Sequence, residues 1–184
     1  MLLACESKAL KTWTEAAAEG DAEAQNNLAV SHFRGINGAP KNVNLAADWW
    51  LKAAALGFAE AQYNLAVCML HGRGVSQDEA NAVKMLTGAS QQDHADAMCL
   101  LASLHADGLA GLTKNRKRAL ELYSKASSLG SEDAQYKKLI LDDLEARETE
   151  LEALQKKIGK INNGFIQLQL ERAANEEVSH AYKG

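Results

Sequence analysis

Small and apolar residues recur along this chain in two interlocking patterns. In the first, an alanine is followed by a leucine four residues on, a second alanine five on and a glycine eleven on, as in Ala24-Leu28-Ala29-Gly35, Ala61-Leu65-Ala66-Gly72 and Ala97-Leu101-Ala102-Gly108. Positions four apart share one helical face, and a glycine that accepts positive φ is the usual stop for such a helix. The pattern predicts helices over 22–34, 59–71 and 95–107. In the second, Asn42, Asp78 and Asn115 each stand four residues before an alanine (Ala46, Ala82, Ala119), followed by a bulky residue (Trp50, Leu86, Tyr123) and another alanine (Ala53, Ala89, Ala126). Asn and Asp suit the N-cap, where a side-chain oxygen accepts from free backbone N–H groups. This predicts helices over 43–56, 79–91 and 116–129, with glycines closing at Gly20, Gly57 and Gly130 and no strand.

The two patterns alternate with a fixed period. The anchor alanines fall at 24, 61, 97 and 134, and Ala9, Ala16 and Trp13 begin the second column set one period earlier. Small side chains at fixed positions let helix backbones approach closely, and the bulky column fills the space between pairs. Stacked two-helix units of this kind form a right-handed all-α solenoid. Units fall at about 21–57, 58–93 and 94–130, with the start of a fourth reaching 136. Residues 1–20 read as a half-repeat or cap helix, and 137–184 as an extended tail.

The residues Trp50-x-Lys52-Ala53-Ala54-x-x-Gly57-x-Ala59-x-Ala61-Gln62, followed by Leu65-Ala66-x-x-Met69-x-x-Gly72-x-Gly74-Val75-x-x-Asp78, resemble the Sel-one-like repeat, a relative of the tetratricopeptide repeat. The likeness covers about residues 5–136. It implies an adaptor that holds another protein or a peptide on a curved helical surface, and it implies no activity. The usual tyrosine eight after the anchor is His32, Met69 or His105 here. The cysteine-rich branch of the family carries a cysteine pair in every repeat, whereas Cys68 and Cys99 occupy different repeat positions, so its disulfides are not expected.

The pattern changes after the fourth anchor. Lys138 replaces the expected leucine and Glu145 the expected glycine, so the last helix should run on. It continues into a heptad with Leu144, Leu151, Ile158 and Phe165 at one seam position and Ile140, Arg147, Leu154, Ile161 and Leu168 at the other. That periodicity signals a coiled coil, with Leu144, Leu151, Leu154, Ile158 and Ile161 as oligomerisation candidates. Asn162-Asn163-Gly164 is a turn signal, so the tail is read as either one helix or a hairpin. For self-pairing, a parallel dimer sets Asp143 against Glu148, whereas an antiparallel pair centred near Glu150 brings Asp143 near Lys157.

Composition and charge narrow the function classes. The 184 residues are 47% hydrophobic with a single proline, and the net charge is −4. An acidic chain has no general attraction for nucleic acid or an anionic membrane, and every apolar stretch is too short for a bilayer span. Cys5, Cys68 and Cys99 lack metal-ligand spacing and read as reduced thiols. The expected location is cytoplasmic. The alternative rests on Leu2-Leu3-Ala4-Cys5, which looks like a lipobox without its preceding basic and apolar regions; a start placed upstream would make an exported or lipid-anchored envelope protein.

The family resemblance assigns a concave groove to first-helix positions minus one, plus two, plus six, plus nine and plus ten. The partner-binding candidates are Glu23, Asn26, Val30, Phe33, Glu60, Tyr63, Val67, Leu70, Asp96 and Tyr136, accompanied by Arg34, His71, Cys99, Ser103, Ala106, Asp107 and Asp133. Aromatic and aliphatic anchors among them are the chemistry of binding hot spots, although inter-repeat core is the competing role. The acidic column Glu23, Glu60, Asp96, Asp133 suits the first turn of a helix as well as a basic ligand. The cluster Lys114-Asn115-Arg116-Lys117-Arg118 opposes the helix dipole and has no evident local support, so it is an acidic-partner candidate beside its reading as a solvated face. Phosphate-loop, zinc-protease and serine-hydrolase motifs are lacking, and no catalytic residue, metal or cofactor is expected. The resulting function is a non-catalytic protein-interaction scaffold. Assembly through the coiled coil is the alternative, and a cell-wall or penicillin-binding hydrolase like the cysteine-rich relatives a further one.

Overall fold

The computed structural model describes the backbone of residues 7–181 and the side chains of residues 7–172. The lipobox-like segment with Cys5 lies outside the described residues. Helices occur in the order α1 (Lys8–Ala18), α2 (Ala22–Arg34), α3 (Val43–Ala55), α4 (Ala59–His71), α5 (Glu79–Gln91), α6 (Ala95–Asp107), α7 (Arg116–Ser128) and α8 (Glu132–Ala181), and no strand occurs among the described residues. The helices of the repeats fall where the alanine columns place them, with α3 and α7 ending one residue early.

Local chemistry fixes the helix ends. Asn42, Asp78 and Asn115 accept from the N–H of Leu45, Asn81 and Arg118 at 3.0, 2.9 and 2.9 Å. Gly35, Gly72 and Gly108 adopt left-handed conformations with φ of 71°, 64° and 71° and return their N–H to the last turn. The chain then comes straight back: the N–H groups of Asn42, Asp78 and Asn115 bond to the carbonyls of His32, Met69 and His105. The helix pair of each repeat is thus tied at its loop end by backbone bonds, independently of the side chains packed between the helices.

The core consists of the repeat columns. Ala29, Ala46, Ala53, Ala61, Ala66, Ala82, Ala89, Ala97, Ala102, Ala119, Ala126 and Ala134 are completely buried, and Trp50, Leu86 and Tyr123 fill the spaces between them. Of the two compact units, Met1–Lys138 and Leu139–Gly184, the first holds these columns, and the early turns of α8 supply its last helix.

Two expectations need correction. Asn162-Asn163-Gly164 makes no turn, because α8 is helical straight through it. Asn and Gly weaken a helix by about 0.5–1 kcal/mol each without forbidding it, and no proline is present to break the backbone ladder. The basic cluster at the start of α7 also has local support, since the Arg118 guanidinium pairs with Glu121 at 2.9 Å one turn on.

Candidate binding groove

Tyr63, at the plus-two position of α4, stands between two hollows. On one side is a cavity of about 260 Å³ lined by Val30, Phe33, Arg34, Trp50, Tyr63, Asn64, Val67 and Cys68. Its floor is fixed by Trp50, whose Nε1–H donates to Asn26 Oδ1 at 3.0 Å while its ring packs tilted against Phe33 with centroids 5.2 Å apart. The Asn64 amide donates to the same Asn26 oxygen at 3.3 Å. The walls expose apolar and polar surface in nearly equal measure, with the exposed Arg34 as the one charged lining residue. That volume is small beside pockets for drug-sized ligands and suits a single bulky side chain.

On the other side, a hollow of about 130 Å³ is lined by Tyr63, Asp96, Cys99, Leu100, Asp133 and Lys137. Lys137 Nζ pairs with Asp133 Oδ2 at 2.7 Å, and the buried Cys99 thiol donates to the same oxygen at 3.1 Å. These two bonds hold the Asp133 carboxyl below its ordinary range. Burial, then the bond to Asp133, pushes the Cys99 thiol up to about 12, so at neutral pH it is a hydrogen-bond donor and not a nucleophile.

Tyr63 is held in place from behind. Its ring stacks on the His94 imidazole, with centroids 5.1 Å apart and an interplanar angle of 26°. His94 Nδ1 accepts from Ala97 N–H at 3.2 Å as the N-cap of α6, which leaves its Nε2–H to donate to Glu60 Oε2 at 2.8 Å. The hydrogen-bond partners thus assign the tautomer of the neutral ring. The Tyr63 hydroxyl is raised above its ordinary range by burial, then by the Asp96 and Glu60 charges.

The sequence candidates divide accordingly. Val30, Phe33, Arg34, Tyr63 and Val67 meet at the larger hollow, and Tyr63, Asp96, Cys99 and Asp133 at the smaller. Asn26 is buried and acts through Trp50, while Leu70 is partly buried and lines neither hollow. Glu23 and Tyr136 are exposed outside both, and Glu60 acts through His94. Besides Trp50 and Cys68, which line the larger hollow but were not among the binding candidates, sequence reasoning missed Asn64, Leu100 and Lys137. All three occupy the plus-three position, one residue beyond the column chosen, so the groove floor is one helix position wider than the borrowed pattern.

Of the other described histidines and cysteines, His32, Cys68 and His105 have local interactions within the repeats. His32 Nδ1 lies 3.1 Å from the Pro40 carbonyl, and Cys68 is buried with its thiol pushed up mainly by burial. His105 is lowered by burial and then by the Arg118 charge. Among the described residues no His, Cys, Asp or Glu cluster could hold a metal ion, and no helix is long and apolar enough to cross a membrane.

Stacked helix pairs tied by alanine columns, with side chains gathered on first-helix faces, define an α-solenoid of short repeats. The Sel1 repeat model matches residues 22–58, 59–94 and 95–131, and the chain belongs to the Sel1 repeat family. It is similar to a Sel1 repeat protein from Oxalobacter formigenes, at 30% identity and a TM-score of 0.64 over 71% of this chain and 96% of that one. It is also similar to c5321, a protective antigen of uropathogenic Escherichia coli displaying an SLR fold, at 28% identity and a TM-score of 0.64 over 68% of this chain. The match spans only 27% of that antigen. Cysteine rich protein B of Helicobacter pylori shares the fold at 24% identity, with a TM-score of 0.54 over 69% of this chain and 90% of that one. No protein of curated function matches the sequence. Sel1 repeats serve protein interaction, and the fold is typically a non-catalytic scaffold.

Proposed function

We propose that this chain is a non-catalytic adaptor that holds a peptide or helix of a partner protein across Tyr63. One bulky apolar side chain of the ligand enters the cavity walled by Val30, Phe33, Trp50 and Val67, and the neighbouring backbone passes the hollow at Asp96 and Asp133. The observation that carries this reading is the shared wall: one aromatic ring, stacked on His94 and therefore rigid, borders both hollows. Rigid aromatic residues beside a side-chain-sized cavity are what binding hot spots are made of, because little rotamer entropy is lost on contact.

A random-peptide display selection on the immobilised full chain tests the reading. Peptides it enriches should bind Tyr63→Ala and Phe33→Ala at least about 30-fold more weakly, corresponding to about 2 kcal/mol, with an unchanged circular dichroism spectrum. Selected peptides that bind both variants as tightly as the parent would place the contact surface elsewhere.

A further inference from the structure

The exposed seam of α8 carries a second surface, separate from the groove. Leu151, Leu154, Ile158, Ile161 and Phe165 are between 47% and 70% exposed on one helix, at alternating spacings of three and four residues. The same stretch contains Gly159, Asn162, Asn163 and Gly164, all poor helix formers, so it has little intrinsic helical stability to draw on. Helices in such a position owe their stability to the packing of an apolar face. A cover is therefore required, and the charges beside the seam discriminate among ways in which a second copy could supply it.

A parallel, in-register pair fails on two counts. It sets Arg147 against Arg147 within the seam, and Asp143 against Glu148 on each flank. Arg147 already pairs with Asp143 of its own helix at 2.9 Å, which satisfies one guanidinium face but does not remove the like charge opposite. Antiparallel pairs stack the two seam positions on each other in steps of one heptad, so few registers exist. The register that faces Leu151 of one seam column with Leu154 of the other places Ile158 on Arg147, Ile161 on Leu144 and Phe165 on Ile140. Its flanks bring Glu150 of each copy beside Lys157 of the other, and Glu148 beside Gln155, with no like-charge contact. Sliding one heptad toward the N-terminus gains Asp143 against Lys157 but sets Glu150 on Glu150 and Glu148 on Glu148, and it uncovers Ile161 and Phe165. Sliding one heptad the other way sets Lys157 on Lys157 and Asp143 on Glu171.

We infer that α8 pairs with α8 of a second copy of this chain, antiparallel, with Leu151 against Leu154 at the centre and two Glu150–Lys157 contacts on the flanks. The overlap from Ile140 to Phe165 is about 38 Å long. This register lies about one helical turn C-terminal to the pairing centred near Glu150, which brings Asp143 to Lys157 only by setting acids on acids.

Sedimentation equilibrium on the full chain, at low salt, tests this through a charge swap. Lys157→Glu and Glu150→Lys should each weaken the dimer by about fivefold to tenfold, since each converts two attractive contacts to repulsive ones. The double variant Glu150→Lys/Lys157→Glu should return to within about threefold of the parent. Residues 150 and 157 lie seven apart on one helix and do not touch within a chain, so rescue reports the contact between copies. A monomer at every concentration overturns the inference in favour of another protein's helix or a fold-back within the chain. A dimer indifferent to the single reversals, or one not rescued by the swap, overturns the antiparallel register.

Discussion

Trp50 Nε1 donates its hydrogen to Asn26 Oδ1 over 3.0 Å, and both side chains are buried. The same oxygen accepts from Asn64 Nδ2, so one amide carbonyl joins α2, α3 and α4 beneath the larger hollow of the groove. A buried indole N–H that loses its only acceptor bears its whole desolvation cost. Asn26→Leu should therefore destabilise the fold by about 1–3 kcal/mol in urea unfolding. Adding Trp50→Phe, which removes the donor as well, should cost clearly less than the sum of the two single changes. Strict additivity would show that the bond contributes nothing.

Position plus thirteen of each repeat gives a second, opposite pair of outcomes. Asn37, Gly74 and Ala110 occupy it with φ of 58°, 75° and 54°, so three different residues share one left-handed conformation. A Cβ on Gly74 would collide with the Val43 carbonyl, so only glycine fits there. Ala110 has room for its methyl group but holds a conformation that costs an L-residue about 1–2 kcal/mol. Ala110→Gly relieves that strain and returns part of the gain as unfolded-chain entropy, leaving a net stabilisation of about 0.5–1 kcal/mol. Gly74→Ala should destabilise by about 2 kcal/mol or more, because steric overlap adds to the strain. Urea midpoints that move in the same direction for both variants would refute the assignment.

The contrast between these columns shows why the repeats were readable and the groove only partly so. Alanine anchors, N-cap residues and C-terminal glycines act through local backbone chemistry, and three copies at a fixed spacing expose each rule in turn. Where a copy breaks the rule the physics persists with another residue: Asp93 stands where Gly57 and Gly130 stand, and it adopts φ of 60° all the same. The groove depends on contacts between repeats, which no single period displays. Nothing in the pattern marks His94 as both a helix cap and the platform for Tyr63, because the same position is Asp21, Phe58 and Ser131 in the other repeats, and Phe58 makes no side-chain cap at all. Lys137 was hidden for a similar reason: its pair with Asp133 is an ordinary contact one turn away on α8, and only the approach to Cys99 on α6 brings it to the hollow. The Asn162-Asn163-Gly164 signal misled because turn propensity is a bias of about 1 kcal/mol per residue, which a continuous helix can absorb.

Cys99 offers a test of the smaller hollow that needs no partner protein. Its thiol is raised to about 12, first by burial and then by donating to Asp133, while Lys137 acts in the opposite direction. A raised thiol is protonated in the fold at pH values where the unfolded chain has begun to ionise. Its contribution to stability is therefore fully present below the unfolded thiol's pKa of about 8.5 and is lost as pH rises from there toward 12. Cys99→Ala should flatten the decline in stability across that alkaline range. Reactivity follows the same ionisation. In a Cys5→Ser/Cys68→Ala background, iodoacetamide should label folded Cys99 far more slowly than free cysteine at pH 8, with a rate still climbing above pH 10. Asp133→Asn removes the carboxylate that favours the protonated thiol and leaves Lys137 Nζ 3.7 Å from the sulfur, so labelling at pH 8 should accelerate by about tenfold or more. Labelling of the unsubstituted site at the rate of a free thiol would mean that Cys99 is neither buried nor bonded to Asp133.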